Sequence, residues 1–181
     1  MEKLSSWHVA TAAEAMVAAQ FARLGFDISV QYGANQPEYD LMVARGDQMM
    51  KVSVKGSSDG SWGLTQTQLT ALRKADPDGK VVDYHGAAQR WMERHKRHTA
   101  LCLVQFKGVD YGQMPKVYLA TPGEIAQQLK KASGGRGDSI LYEEYIRGAR
   151  AAGAGTREFI PPEWRLSEDR ANKVLEALAA E

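Results

Sequence analysis

Two runs of alternating apolar and polar residues, Tyr39–Arg45 and Gln48–Lys55, separated only by Gly46-Asp47, constrain this chain more than any other feature. Alternation with a period of two marks a strand with one buried face, and Gly-Asp between two such runs reads as a two-residue hairpin turn. With the turn there, Arg45 lies opposite Gln48, Val43 opposite Met50, Leu41 opposite Val52 and Asp40 opposite Ser53. Opposed residues share a face. One face then carries Leu41, Val43, Met50, Val52 and Val54, and the other Asp40, Met42, Ala44, Met49, Lys51, Ser53 and Lys55. A slip of one residue would move Lys and Asp onto the apolar face, so the pattern selects its own register.

The rest of the chain supplies elements around this hairpin. Ala10, Ala13, Val17, Phe21 and Leu24 recur at helical spacing from Ser6 to Leu24, with Ser5 or Ser6 as a cap and Gly25 as a stop. A short strand is expected at Phe26–Gln31, a loop over Lys55–Gly63, and either strand or helix over Leu64–Lys74. Ala75–Gly86 reads as a loop, Ala87–His95 as a short helix, and Ala100–Phe106 and Lys116–Ala120 as strands. Thr121-Pro122-Gly123-Glu124 has the cap, the proline and the glutamate of a helix start, and that helix reaches about Ala132. Ser139–Ala152 is ambiguous. Ser167 caps a last helix whose buried stripe is Val174, Leu175 and Leu178. The order predicts an α/β protein, a three-layer-like sandwich around a mixed, partly antiparallel sheet. The expectation is a single domain over residues 1–181, with 153–181 as a C-terminal extension ending in a helix.

Composition narrows the setting. The 181 residues, 44% apolar and 25% charged, suffice for one hydrophobic core. The 23 Lys and Arg against 22 Asp and Glu leave a net charge of +1, so any nucleic-acid contact must use a local patch. A single cysteine, Cys102, cannot form an internal disulfide and fits a reducing cytoplasm. No leader-like or membrane-spanning apolar run occurs, so no membrane association is expected.

Hairpin parity places Asp40 diagonal to Lys55, and that proximity serves two chemistries. It can be a cross-strand ion pair on a wet face. It can also be a site for phosphodiester chemistry, because an Asp carboxylate is a hard ligand for Mg²⁺ and an adjacent lysine can contact a scissile phosphate.

These residues resemble the PD-(D/E)XK nuclease superfamily, over about residues 9–67. In that pattern a helix bearing Glu precedes a strand with a metal-binding Asp, and the neighbouring strand carries an acid, one residue and Lys. Here the pieces are Glu14 on the first helix, Pro37-Glu38-Tyr39-Asp40 entering the second strand, and Ser53-Val54-Lys55 on the third. The resemblance implies a restriction-endonuclease-like core and a Mg²⁺-dependent (or Mn²⁺-dependent) DNA endonuclease. Asp40 and Glu14 would be the metal ligands, Lys55 the phosphate or water contact, and the Val54 carbonyl a further ligand. It also implies a homodimer, since small nucleases of this kind often cut two strands with two copies. Ser53 departs from the pattern by standing where the second acid belongs, which leaves an alternative: a nuclease-fold protein with weakened chemistry that binds nucleic acid or protein. Glu38 and Asp59 are weaker substitutes for the missing acid.

Other candidates carry less. Gln89–His98 interleaves Arg90, Arg94, Lys96 and Arg97 with Trp91, a composition suited to phosphate contact and base stacking, or to a solvated helix end. Gln66, with Ser57, Ser58, Trp62, Thr65 and Gln68, follows Lys55 and offers polar contacts to nucleic acid. His95, His98 and Cys102 lack a fourth partner for zinc. Ser53 and Lys55 share a face but have no oxyanion element for a Ser-Lys hydrolase. The glycines at 134–137 lack the strand-to-helix context of a phosphate loop.

Overall fold

The computed structural model describes residues 5–31, 38–76, 82–148 and 154–180. In chain order its elements are α1 (Ser6–Arg23), β1 (Asp27–Val30), β2 (Leu41–Arg45), β3 (Gln48–Ser57), β4 (Ser61–Gly63), α2 (Gln66–Ala75) and α3 (Tyr84–Glu93). Then come β5 (Thr99–Gln105), β6 (Lys116–Ala120), α4 (Pro122–Lys131), β7 (Ile140–Tyr142), β8 (Glu144–Ile146), β9 (Arg157–Phe159) and α5 (Glu168–Ala179). The protein is α/β, and its main sheet is open and mixed. Two compact units can be distinguished, one made of Met1–Gly60, Lys96–Thr121 and Pro161–Glu181, the other of Ser61–His95 and Pro122–Ile160.

The first unit is built on the five-stranded sheet, in the order β1-β2-β3-β5-β6. All neighbours are antiparallel except β3 and β5, which run parallel with Val52 opposite Ala100 and Val54 opposite Cys102. A parallel pair needs a long connection. Residues 58–98 provide it. The hairpin register is the expected one, with Leu41 opposite Val52, Val43 opposite Met50 and Arg45 opposite Gln48. Gly46 sits at φ 59° while Asp47 stays at negative φ, so the glycine takes the left-handed position that begins the turn.

The apolar hairpin face is core. Leu41, Val43, Met50 and Val52 are fully buried, joined by Cys102, Val104, Val117 and Leu119, and α1 and α5 cover them with Ala13, Val17, Phe21, Ala171, Val174, Leu175 and Leu178. In α1 the buried stripe begins at Val9, and Ala10 is exposed. The α5 cap is as expected, with Ser167 Oγ accepting from the Arg170 N–H at 3.1 Å. Arg45 ties the hairpin turn to its surroundings: its guanidinium donates to the Leu24 carbonyl, to Asn172 Oδ1 (2.8 Å) and to Glu168 Oε1 (3.1 Å), and stacks over Phe26.

The second unit contains α2, α3 and α4 with two small sheets, β4-β7 and β8-β9. Leu64–Lys74 resolves as helix, under α2. Two expected loops are replaced by structure. Lys55–Ser57 completes β3 and Ser61–Gly63 forms β4, because the buried Trp62 pairs opposite the buried Leu141. Tyr84–Gly86 opens α3, because Asp83 caps it by accepting from the Gly86 N–H at 2.7 Å. Residues 77–81 of the other expected loop lie outside the described set. The ambiguous Ser139–Ala152 segment gives β7 and β8, up to residue 148. Arg147 is buried in a bidentate pair with Glu158, at 2.8 and 2.9 Å. Burial alone would raise the Glu158 carboxyl, but hydrogen bonds from Arg147 and from the Ser133 N–H hold it below its ordinary value. Among the described residues no helix is long and apolar enough to cross a membrane.

Candidate functional site

Asp40 stands just before β2, where the ladder with β3 ends. Its own N–H donates to the Val52 carbonyl (2.9 Å), and its carboxylate Oδ2 accepts from the Val54 N–H at 2.6 Å. That side chain therefore takes the place of the next rung and satisfies a donor that would otherwise point off the sheet edge. The hydrogen bond also fixes the carboxylate beside residues 53–55. Lys51, on the same face, extends toward the Tyr39 ring, 5.8 Å from its centroid.

Glu14 arrives from α1, and its approach is set by Gly56. A Cβ at Gly56 would lie 2.8 Å from the Val9 carbonyl and 3.0 Å from the Ala13 Cβ, so only glycine lets the helix come this close to the end of β3. Glu14 follows Ala13 directly. Burial pushes its carboxyl above the ordinary value, the nearby Asp40 carboxylate adds to the rise, and the Lys55 ammonium pulls it back. The three residues expected from sequence thus form one electrostatic group, contributed by a helix, a strand entrance and a strand end.

Lys55 is exposed near the end of β3, while Ser53, two residues earlier, is only 3% exposed. A buried hydroxyl adds no charge to the group. Glu38 is exposed, and Asp59 is engaged in its own turn, where Ser57 Oγ donates to Asp59 Oδ1 at 2.9 Å. Among the described residues no three His, Cys, Asp or Glu side chains gather as a metal-binding group. The donor set offered to a cation is the two carboxylates of Glu14 and Asp40. That set fits Mg²⁺, which takes one or two protein carboxylates and completes its shell with water and substrate phosphate.

The other expected contacts divide. Arg90, Arg94, Lys96 and Arg97 are all exposed, around the C-terminal end of α3. Trp91 is only 4% exposed, packed on the buried side of α3 with Ala87 and Ala88 and edge-on to His95, so its ring is not offered for stacking. Gln66 is the exposed first residue of α2, in the second unit. The zinc candidates do not converge: His98 Nδ1 lies 2.7 Å from the Leu178 carbonyl, and Cys102 is fully buried with its thiol pushed well up by desolvation.

An aromatic that sequence reading passed over is Trp7, 68% exposed on α1. It precedes Glu14 by seven residues, two helical turns, and so lies on the same side of the helix. The signal was present in that spacing, but an apolar residue in a helix is first assigned to the core. Comparisons with protein-family models, with curated proteins and with solved structures find no match for this chain.

Proposed function

We propose that the protein is a Mg²⁺-dependent endonuclease acting on DNA, with Glu14 and Asp40 as the metal ligands and Lys55 as the phosphate contact. The observation that carries this reading is the meeting of the three elements: the Asp40 carboxylate is fixed on the Val54 N–H next to Lys55, and Gly56 lets α1, which bears Glu14, close onto the end of β3. Two neighbouring carboxylates, one of them partly buried, favour a cation between them. Bound there, Mg²⁺ would polarise a phosphoryl oxygen and lower the pKa of its water. Lys55, exposed beside the carboxylates, neutralises a non-bridging phosphate oxygen. The Val54 N–H keeps Asp40 aimed at the group, and the Gly56 contact keeps Glu14 there. Trp7 supplies an aromatic surface for a base next to the cut, in place of the buried Trp91. The restriction-endonuclease-like core belongs to the same reading, supported by the order of Glu-bearing helix, Asp-bearing strand and Lys-bearing strand in one sheet.

Cleavage of plasmid, single-stranded and branched DNA, with Mg²⁺, with Mn²⁺ and with EDTA, tests it. Wild type should cut with metal only, and Asp40→Ala and Lys55→Ala should each reduce the rate at least about a hundredfold. Cutting that survives both substitutions would sink the reading. The buried Ser53 favours one alternative, a nuclease-like protein that binds DNA without cutting it. Salt-sensitive binding with no cleavage on any substrate would select that alternative.

A further inference from the structure

A cavity in the first unit is separate from the Glu14, Asp40 and Lys55 group and shares no residue with it. It has a volume of about 310 Å³ and lies beside the C-terminal half of α1, facing the segments that lead into β6 and α5. Arg23 and Gln20 line it from α1 and Leu24 from the residue that ends it, Met114 from the approach to β6, and Arg165 and Leu166 from the approach to α5. Gln20 lies six residues after Glu14, about 9 Å further along the axis and rotated by roughly a third of a turn. The cavity therefore opens on a different side of the helix.

Its charge is unbalanced. Two other arginines of this unit are engaged, Arg45 by Glu168 and Asn172 and Arg170 by the Leu119 carbonyl. Among the described residues no carboxylate pairs with Arg23 or Arg165. Arg23 also complements the negative end of the α1 dipole, but that role does not extend to Arg165. Arg165 is held in place: its guanidinium lies 5.5 Å over the Tyr118 ring, and the next residue, Leu166, donates its N–H to the Val117 carbonyl at 2.8 Å. The guanidinium is thus positioned before any ligand arrives. Leu24, Leu166 and the half-exposed Met114 give the same cavity an apolar wall.

Two guanidiniums without a paired carboxylate among the described residues match a phosphate group, which accepts paired N–H donors, and the apolar wall matches a flat organic body attached to it. A volume near 310 Å³ lies at the small end of ligand pockets, roughly 300–1,000 Å³. We propose that this cavity binds a nucleoside phosphomonoester, with the phosphate between Arg23 and Arg165 and the base against Met114, Leu24 and Leu166. The ligand is either a free nucleotide or the phosphorylated end of a nucleic-acid strand. The proposal rests on this cavity alone and does not depend on the nuclease reading.

The test is titration of the full chain in EDTA with AMP, adenosine, inorganic phosphate and a 5′-phosphorylated single-stranded oligonucleotide, followed by heteronuclear NMR. EDTA removes any contribution from the carboxylate site. AMP should bind more tightly than adenosine and than inorganic phosphate, with the largest shifts at Gln20, Leu24 and Leu166. Arg23→Gln and Arg165→Gln should each weaken AMP at least about tenfold, the effect of removing one charge-assisted hydrogen bond. Met114→Ala should weaken AMP while leaving inorganic phosphate unchanged. Tighter binding of the oligonucleotide than of AMP identifies a strand end as the source, and the reverse identifies a free nucleotide. Equal binding of AMP and inorganic phosphate would overturn the nucleoside assignment. AMP binding that is absent, or indifferent to both arginine substitutions, would overturn the site.

Discussion

Glu14 sits beside Asp40 with part of its water removed, so the folded chain holds its proton more tightly than the unfolded chain does. The sign follows from linkage. With a folded pKa above the unfolded value of about 4.3, stability falls as pH rises through the folded value and the penalty is constant beyond it. Glu14→Gln should therefore stabilise the fold at pH 7 in EDTA, by less than about 1 kcal/mol because the carboxyl remains partly solvated, and so raise the melting temperature. The gain should vanish near pH 4, and Mg²⁺ should stabilise wild type but not the variant. Thermal melts at both pH values with and without Mg²⁺ check this. Ser53 makes the converse case. Ser53→Asp places an unpaired carboxylate at a buried position and should cost about 1–3 kcal/mol in EDTA. If the position faces the cation, Mg²⁺ should recover most of that loss, whereas a deficit unchanged by Mg²⁺ would show that it does not.

Elements hold the carboxylates in register, and their packing sets how much disturbance the site tolerates. Gly56→Ala adds a methyl group against the Val9 carbonyl, a backbone atom that cannot swing aside, so α1 must shift off β3. A cost of about 1–3 kcal/mol is expected, with weaker Mg²⁺ binding because Glu14 moves with the helix. Calorimetric titration of Mg²⁺ into a folded Gly56→Ala variant measures the coupling, and unchanged affinity would show that helix position does not matter to the site. In the second unit, Glu158 has a depressed folded pKa, so its contribution is full above the unfolded value of about 4.3 and is lost as pH falls through the folded one. Glu158→Gln leaves Arg147 buried beside a neutral partner and should cost about 2 kcal/mol at pH 7, a difference that should shrink in melts at lower pH. The elements most legible from sequence were those whose signals are local. Alternation with Gly46-Asp47 specified the hairpin register, and Thr121 to Glu124 and Ser167 announced two helices. Lys55–Gly63 was misread because its Gly and Ser content resembles a loop, while the pairing of Trp62 with Leu141 is decided almost eighty residues away.

On the scale of the whole molecule, a net charge of +1 means that the DNA affinity we propose would have to come from local cations, and the exposed Arg90, Arg94, Lys96 and Arg97 form one such run along the sequence. Replacing Arg90 and Arg94 by Gln should weaken single-stranded DNA binding uniformly across sequences. The slope of log K against log salt should fall by about 0.7 for each phosphate that is no longer neutralised. An unchanged slope in a fluorescence titration would remove α3 from the interface. Hairpin parity, a short-range rule, brought Asp40 and Lys55 together, and Glu14 was joined to them only through the resemblance. Sequence missed Arg23 and Arg165 as partners because 142 positions separate them, and no periodicity spans that distance. The same long-range organisation bears on how the chain acquires its shape. The parallel partners β3 and β5 are divided by the excursion through residues 58–98, and the core they share is completed only by α5. Closing loops of this length is entropically slow. During vectorial synthesis the hairpin emerges early and waits with its apolar face only partly covered, by α1, until α5 has left the ribosome. The step that limits folding should therefore be closure of the sheet, not formation of the hairpin, and the nascent chain is most open to capture by a chaperone or to aggregation in that interval.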